Sequence, residues 1–441
     1  MVRLGSVCLR RLSEGRRRVE VCFHRLLHNP KVTADLIIAG WAEPTVAASA
    51  GRHVLAIQDT SELTFRTAAT RRRGLGRIGK GGGHGILLHP MLAVDAGTGD
   101  CLGLLGGRVW TRPPAPPVAR SADGRKKKTH SKAAFADRES HRWVETAQEA
   151  KAHLGAAAMV TLIADREADM YALWASLPAP NVHVLGRVYH DRPVVGGGCL
   201  SNVARLWPVC GTRRITIRER EDRPEREAMV DLRFGAVTLA RPRTIRACEG
   251  LPGHVALTLL EVSEPAPPDA GEPVVWRLLT THPVADADQA WQIVDWYRCR
   301  WLIEQFFRIL KKQGLRIEDS QIDTADHLIK LVAIACRAAV LTLQLTQARD
   351  GDSRLPVSAV FDTTEQAVLE RVNQTYASRT KRYDNPYPPR SLPWAAWIIA
   401  RLGGWDGYPS SRPPGPITFK NGIDVLKTMT AGWALRDVCM P

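Results

Sequence analysis

No C-x-x-C pair occurs among the nine cysteines, which stand at positions 8, 22, 101, 199, 210, 248, 299, 336 and 439. Their odd number and scatter argue against a disulfide framework and a zinc site, and fit a reducing, cytoplasmic environment. The thirteen histidines contain no H-E-x-x-H pair or other paired ligand spacing. The most apolar run, residues 331–346, is short and interrupted by Arg337, so it reads as a core helix rather than a membrane span. The Arg-rich, acid-poor N-terminus loosely resembles a transit peptide but lacks the apolar stretch of a secretory signal. Ser61 and Ser140 have no nucleophile pattern around them, and there is no internal repeat. Residues 74–81 come close to a G-x4-G-K-[ST] phosphate loop, but Gly81 replaces the hydroxyl and no apolar strand leads in. An ATPase is therefore disfavoured, and a glycine-and-cation loop that approaches DNA backbone fits better.

Acidic residues are also scarce relative to basic ones. Lys plus Arg is 61 against 45 for Asp plus Glu, a net charge of +16. The excess is clustered in Arg16-Arg17-Arg18, Arg71-Arg72-Arg73 and Arg125-Lys126-Lys127-Lys128, which points to a polyanionic partner, most simply nucleic acid. With 441 residues, 44% of them hydrophobic, the chain can bury a large core in two or three domains.

Periodicity predicts basic helices over residues 1–48 and then a buried strand, His53 to Gln58, that runs into Asp59. Further strands are expected at 86–95 and 101–110, a Pro-rich basic loop at 111–132 and a helix at 138–155. Met159 to Ala164 is a second buried strand ended by an acid, Asp165. A helix from about 167 and a strand at 182–188 follow. From 190 to 283 short strands alternate with Pro, Gly and charge. The helical pattern returns at 285, and from 351 the chain is Pro-rich and polar until a Trp-rich helix at 392–402. The pattern predicts a mixed-sheet α/β core interrupted by an all-β insertion, with helical N- and C-terminal flanks.

The richest segment is residues 295–314, DWYRCRWLIEQFFRILKKQG. As one helix at about 100° per residue it places Tyr297, Arg300, Glu304 and Lys311 within about 60° of one face. Apolar side chains occupy much of the rest. Burying a carboxylate with two cations and a phenol is costly, so this face is either a structural salt-bridge ladder or a metal-binding Glu beside phosphate-holding groups. Asp59 and Asp165 at two strand ends could join Glu304 around hard cations, although an acid after a buried strand is also an ordinary helix cap.

Three motifs together, Gln58-Asp59-Thr60-Ser61, Asp165-Arg166-Glu167-Ala168-Asp169 and Tyr297-x2-Arg300-x3-Glu304-x6-Lys311, resemble the DDE transposases of the insertion-sequence-four group. The likeness runs from about Val21 to about Trp433, with a further match at Ala400-Arg401-Leu402-Gly403-Gly404. It implies an RNase H-like core whose metal-binding, catalytic triad is Asp59, Asp165 and Glu304, with two Mg²⁺ ions that Mn²⁺ can replace. It implies that Tyr297, Arg300, Lys311 and Arg187 contact transposon-end DNA, and more loosely His190, Arg192 and Arg308. Trp276 matches a tryptophan that stacks on a flipped base; a core strand tryptophan is its plain alternative. The expected partners are double-stranded DNA, at transposon ends and target, and a second copy of the chain on DNA, in the bacterial cytoplasm and without a membrane.

The resemblance also divides the chain. Residues 1–48 would be a helical DNA-binding region, shortened because only 58 residues precede Asp59. Residues 49–190 and 284–350 would be the two parts of the catalytic core, 191–283 the β insertion, and 351–441 a helical region for dimerisation that ends early. The expected function is metal-dependent cleavage of transposon ends and strand transfer. A transposase-derived DNA-binding protein without activity, and a nuclease without strand transfer, are the alternatives.

The clustered positive charge predicts that affinity for duplex DNA falls steeply with salt, because phosphate contacts release counterions. Binding measured across a salt series should give a steep negative log–log slope; a flat one would show that the basic runs do not face DNA.

Overall fold

The structure is a computed structural model and describes residues 1, 4, 6–65, 74–79, 83–113, 139–217, 225–243, 250–266, 273–376, 384–408 and 411–436. The basic runs at 71–73 and 125–128, and Lys80 and Gly81 of the glycine-rich loop, lie outside these residues.

Four short helices lead the chain: α1 (Leu9–Leu12), α2 (Arg17–His28), α3 (Ala34–Ala39) and α4 (Ala42–Ser49). Strand β1 (His53–Gln58) follows, then β2 (Ser61–Thr64), β3 (Gly76–Ile78), β4 (Gly83–Asp95) and β5 (Cys101–Trp110). Next come α5 (Arg142–His153), β6 (Met159–Ala164), α6 (Tyr171–Ser176), β7 (Val182–Arg187) and α7 (Leu200–Leu206). Four long strands, β8 (Gly211–Ile217), β9 (Arg226–Ala240), β10 (His254–Ser263) and β11 (Val275–Thr280), complete the β-rich part. The rest is helical: α8 (Ala287–Arg298), α9 (Trp301–Lys311), α10 (Ala325–Ala348), α11 (Thr363–Tyr376), α12 (Leu392–Leu402) and α13 (Pro416–Arg436). The architecture is thus mixed α/β, with a large mixed sheet and helical flanks.

The chain forms two compact units. One comprises Met1–Ala50, Thr60–Ala133 and Trp301–Pro441; the other comprises Gly51–Asp59 and Ala134–Arg300.

In the first unit β2, β3 and β5 all pair antiparallel with β4. Helix α10 is the core helix, packed on β5, α9, α12 and α13. It is long and apolar enough to span a membrane by composition, but 72% of its most apolar stretch is buried inside the protein. Helix α4 crosses β5 so closely that a Cβ on Gly103, at φ +147, would lie 2.2 Å from Thr45 Oγ1, and only glycine fits.

The second unit is a seven-stranded mixed sheet in the order β1-β6-β7-β11-β10-β9-β8. Strands β1, β6 and β7 run parallel, and β11, β10, β9 and β8 continue antiparallel. All of β1 and β6 beyond the first residue is buried, as continuous apolar runs require in a parallel sheet covered on both faces. Helix α5 packs on β1, while α8 packs on β7 and β9.

Several sequence-based expectations need correction. Residues 295–314 are not one helix: α8 ends at Arg298 and α9 begins at Trp301. The last turn of α8 tightens, with Arg300 N–H donating to Tyr297 O at 3.0 Å, so the 100° phase relation does not carry from Tyr297 to Glu304. The segment from 190 to 283 is not all β, since α7 lies within it. Its apparent strands MVDLRF and AVTLA form one strand, β9, because Gly235 admits the Trp207 indole instead of ending the strand. A Cβ there would lie 2.4 Å from the ring. The C-terminal region, expected to be helical, holds α11 and α13 beside the Trp-rich α12. Gly422 lets α13 cross α12, where a Cβ would meet Ile399 O at 1.8 Å.

A buried polar cluster ties the second unit together. Thr161 Oγ1 lies 2.8 Å from both His53 Nε2 and His282 Nε2. The His282 ring stacks on His183 at 3.8 Å, and Trp296 of α8 covers His53 edge-on at 4.5 Å. Burial, together with the neighbouring His183 and His53, pushes His282 down from 6.5 to about 3. The unfolded chain therefore takes up a proton near 6.5 that the folded chain refuses until near 3. Stability should be full above that window and decline as pH falls through it. Urea midpoints should drop between about pH 7 and about pH 5, less so in His282→Gln; an equal drop in the variant would remove His282 as the cause.

Candidate active site

Strand register assembles the site. Pairing of β1 with β6 matches Ile57 to Ile163, and pairing of β6 with β7 matches Ala164 to Gly186. Two residues beyond Ile57 and Ile163, and one beyond Gly186, Asp59, Asp165 and Arg187 stand side by side in one row at the C-terminal ends of three parallel strands. Ligands are generally met at that edge of an open α/β sheet.

The last turn of α8 and the turn just after it bring two more side chains to the row. The Tyr297 hydroxyl donates to Asp165 Oδ1 at 3.3 Å. Arg300 Nη1 lies 3.3 Å from Asp59 Oδ2 and 3.6 Å from Asp165 Oδ2, so one nitrogen reaches both carboxylates. The Arg300 side chain is 14% exposed. Burial, and the negative Asp165 beside it, raise the Tyr297 pKa, so its phenol stays protonated and remains a donor. Arg187 is shifted down chiefly by burial, with Arg166 and Arg300 adding to the effect.

Beside the row is a cavity of about 300 Å³ lined by Arg166, Arg187, Tyr189, Val275 and Arg277 among others. Arg166, Tyr189 and Arg277 carry no expectation from the sequence. The available signals were their adjacency to Asp165 and Trp276 and, for Tyr189, 66% exposure of an aromatic ring. Trp276 is half-buried, and strand alternation turns it to the face opposite Val275 and Arg277, which line the cavity.

The second half of the Asp165–Asp169 motif serves the backbone. The Asp169 side chain is fully buried and accepts from Tyr189 N at 2.8 Å and His190 N at 3.0 Å. It also pairs with the Arg192 guanidinium, whose second nitrogen reaches Asp169 O at 2.5 Å. Arg192 is thus engaged in holding this turn, and the exposed His190 ring leans edge-on against Tyr189 at 4.8 Å.

The remaining expected residues belong to the other unit. Glu304 is half-buried in the first turn of α9. Arg308 is exposed, with its guanidinium 6.0 Å from the Trp301 ring. Lys311 donates to Glu62 O of β2 at 2.6 Å, and burial lowers its pKa.

The donor set at Asp59 and Asp165 suits a hard divalent cation, since two carboxylates face one small volume. Among the described residues no group of three or more His, Cys, Asp or Glu side chains is close enough to hold a metal ion. A cation at this pair would draw the rest of its shell from elsewhere, as Mg²⁺ does from water and phosphate.

Residues 65–341 match the family described as the transposase DDE domain, and the chain belongs to that family. It is therefore a transposase-type protein. Asp165, Tyr297, Arg300 and Glu304 fall within the matched span, and Asp59 precedes it. Among solved structures the chain is similar to the piggyBac transposase in its synaptic complex with hairpin DNA, at 12% identity and a TM-score of 0.34. The match covers 76% of this chain and 56% of that one, and a likeness so distant carries no weight for fold or function.

Replacing Asp169 with Ala would leave a nearly buried guanidinium and two N–H groups without their acceptor. Breaking such a pair costs about 3–5 kcal/mol. Chemical denaturation should register a loss of that order, and a loss under about 1 kcal/mol would mean the turn is held by other contacts.

Proposed function

We propose that the protein is a cut-and-paste transposase of the insertion-sequence-four group, resembling in its motifs the transposase of transposon Tn-five. It would cleave the ends of its element and join them to target DNA. The observation that carries this is the convergence of Asp59, Asp165, Tyr297 and Arg300, with Arg300 separated from Asp59 by 241 residues. Membership of the transposase DDE domain family supports the same conclusion. The parallel β1-β6-β7 row supports an RNase H-like core, with Asp59 and Asp165 at adjacent strand ends.

In this proposal Asp59, Asp165 and Glu304 hold two Mg²⁺ ions. When bound, such ions activate a water or 3′-hydroxyl and stabilise the leaving oxygen in displacement at phosphorus. The chain's own groups do the rest. Tyr297, kept protonated, orients Asp165 through its hydroxyl. Arg187 and Arg300, beside the acids, offer guanidinium groups to the scissile phosphate, for which planar, forked donors are well matched. Lys311, Arg308, His190 and Arg192 are further proposed DNA contacts. The last two would act in part through the turn they share with Asp169. Trp276 would stack on an unpaired base, whose flat face is matched by an indole. Double-stranded DNA is the partner, and a dimer on DNA is proposed from the resemblance.

Two substitutions separate binding from chemistry. Glu304→Gln keeps size and hydrogen bonding but removes the charge a hard cation needs. It should abolish Mg²⁺-dependent nicking of transposon ends with little change in DNA affinity. Arg300→Ala should weaken end binding and cleavage together. Gel-based nicking and binding assays on a preparation shown to bind ends would read both. Cleavage retained in Glu304→Gln would remove Glu304 from the metal site. Cleavage without joining to target DNA would mark a nuclease.

A further inference from the structure

The position of Arg300 has a consequence for metal uptake that its proposed phosphate contact does not contain. A single guanidinium nitrogen lies within ion-pair distance of Asp59 Oδ2 and Asp165 Oδ2. Asp165 Oδ1 already takes the Tyr297 hydroxyl, so Oδ2 is the oxygen it turns toward Asp59 and Arg300. A divalent cation bound by both acids needs oxygens at about 2.0–2.1 Å and would sit in the same small volume. A guanidinium and a divalent cation cannot share that volume: both are positive, and the side chains there are 14–31% exposed, so water screens them little.

The backbone at Arg300 also suits a side chain that must move. Arg300 lies in the turn between α8 and α9, outside either helix. Its side chain can leave the acids without unwinding a helical turn. A neighbour favours departure once the acids are satisfied otherwise, since Arg187 places further positive charge close by.

We propose that Arg300 is an internal counterion of the Asp59–Asp165 pair, which a divalent cation must displace in order to bind. This rests on the metal-dependent reading of the site. Before metal arrives, the guanidinium offsets the mutual repulsion of the two acids. When metal enters, Arg300 is released, and a phosphate oxygen is the natural partner for the freed charge. Metal affinity of the free protein is then held below what the acids alone would give, and arrival of a phosphate restores it.

The test is the binding of Mn²⁺ alone to the full chain, followed through the electron paramagnetic resonance signal of the free ion. Arg300→Gln, which keeps hydrogen bonding but loses the charge, should bind Mn²⁺ about tenfold tighter than the wild type. That is the expected change if the counterion occupies the acids about nine-tenths of the time. Arg300→Lys keeps a charge without the fork and should fall between the two, so the series remains informative if the Gln variant folds poorly by circular dichroism. Equal or weaker Mn²⁺ binding in the folded Arg300 variants would overturn the counterion role. Asp59→Asn and Asp165→Asn supply the other control. If they leave Mn²⁺ binding unchanged in both backgrounds, the metal-site reading itself fails. If they weaken it while the Arg300 variants match the wild type, only the counterion role fails.

Discussion

Two carboxylates at adjacent strand ends repel one another, and the geometry of the site follows from how that repulsion is offset. At about 5 Å and an effective dielectric near 20, two such charges cost roughly 3 kcal/mol. Asp59 and Asp165 meet this with one shared guanidinium, from Arg300, and one phenol that stays protonated, from Tyr297. Tyr297 comes from the last turn of α8 and Arg300 from the turn just after it, so that helix has to lie where its C-terminal end reaches the row of strand ends. The buried contacts of Trp296 with His53 and His282 fix it there. An electrostatic requirement at the edge of the sheet is thus met by packing on its face.

Much of the strand pattern was legible in the sequence because buried parallel strands are short apolar runs with an acid at their end. Strands β1 and β6 follow that pattern, with Asp59 and Asp165 just beyond their ends. Glycine misled at Gly235, where close approach of the Trp207 indole, rather than a chain break, requires it. The helix through 295–314 misled for a different reason. Nothing in its composition breaks a helix; the break falls where Arg300 turns onto two acids remote in sequence. Local periodicity carries no information about such partners.

Motif spacing pointed to Asp59, Asp165, Tyr297 and Arg300, which meet in the structure, but not to the division of labour around them. In the Asp165–Asp169 motif the first acid faces the site and the last is buried beneath a turn, taking the guanidinium of Arg192. The Arg166, Tyr189 and Arg277 side chains around the neighbouring cavity emerge only once the strand ends are laid side by side. For a protein of the transposase DDE domain family, the polar groups that shape the site therefore outnumber those named by its signature.

The alignment of Asp59 with Asp165 is set by a ladder of hydrogen bonds between β1 and β6, not by the length of chain joining them. The number of residues that join the two strands does not enter the register of that ladder. A single residue added within β1 or β6 does, moving one acid along the row and turning it to the other face of the sheet. The tolerances of this chain to insertion are thus uneven. The shortest change inside either strand would dismantle the acid pair, whatever the length of chain between them.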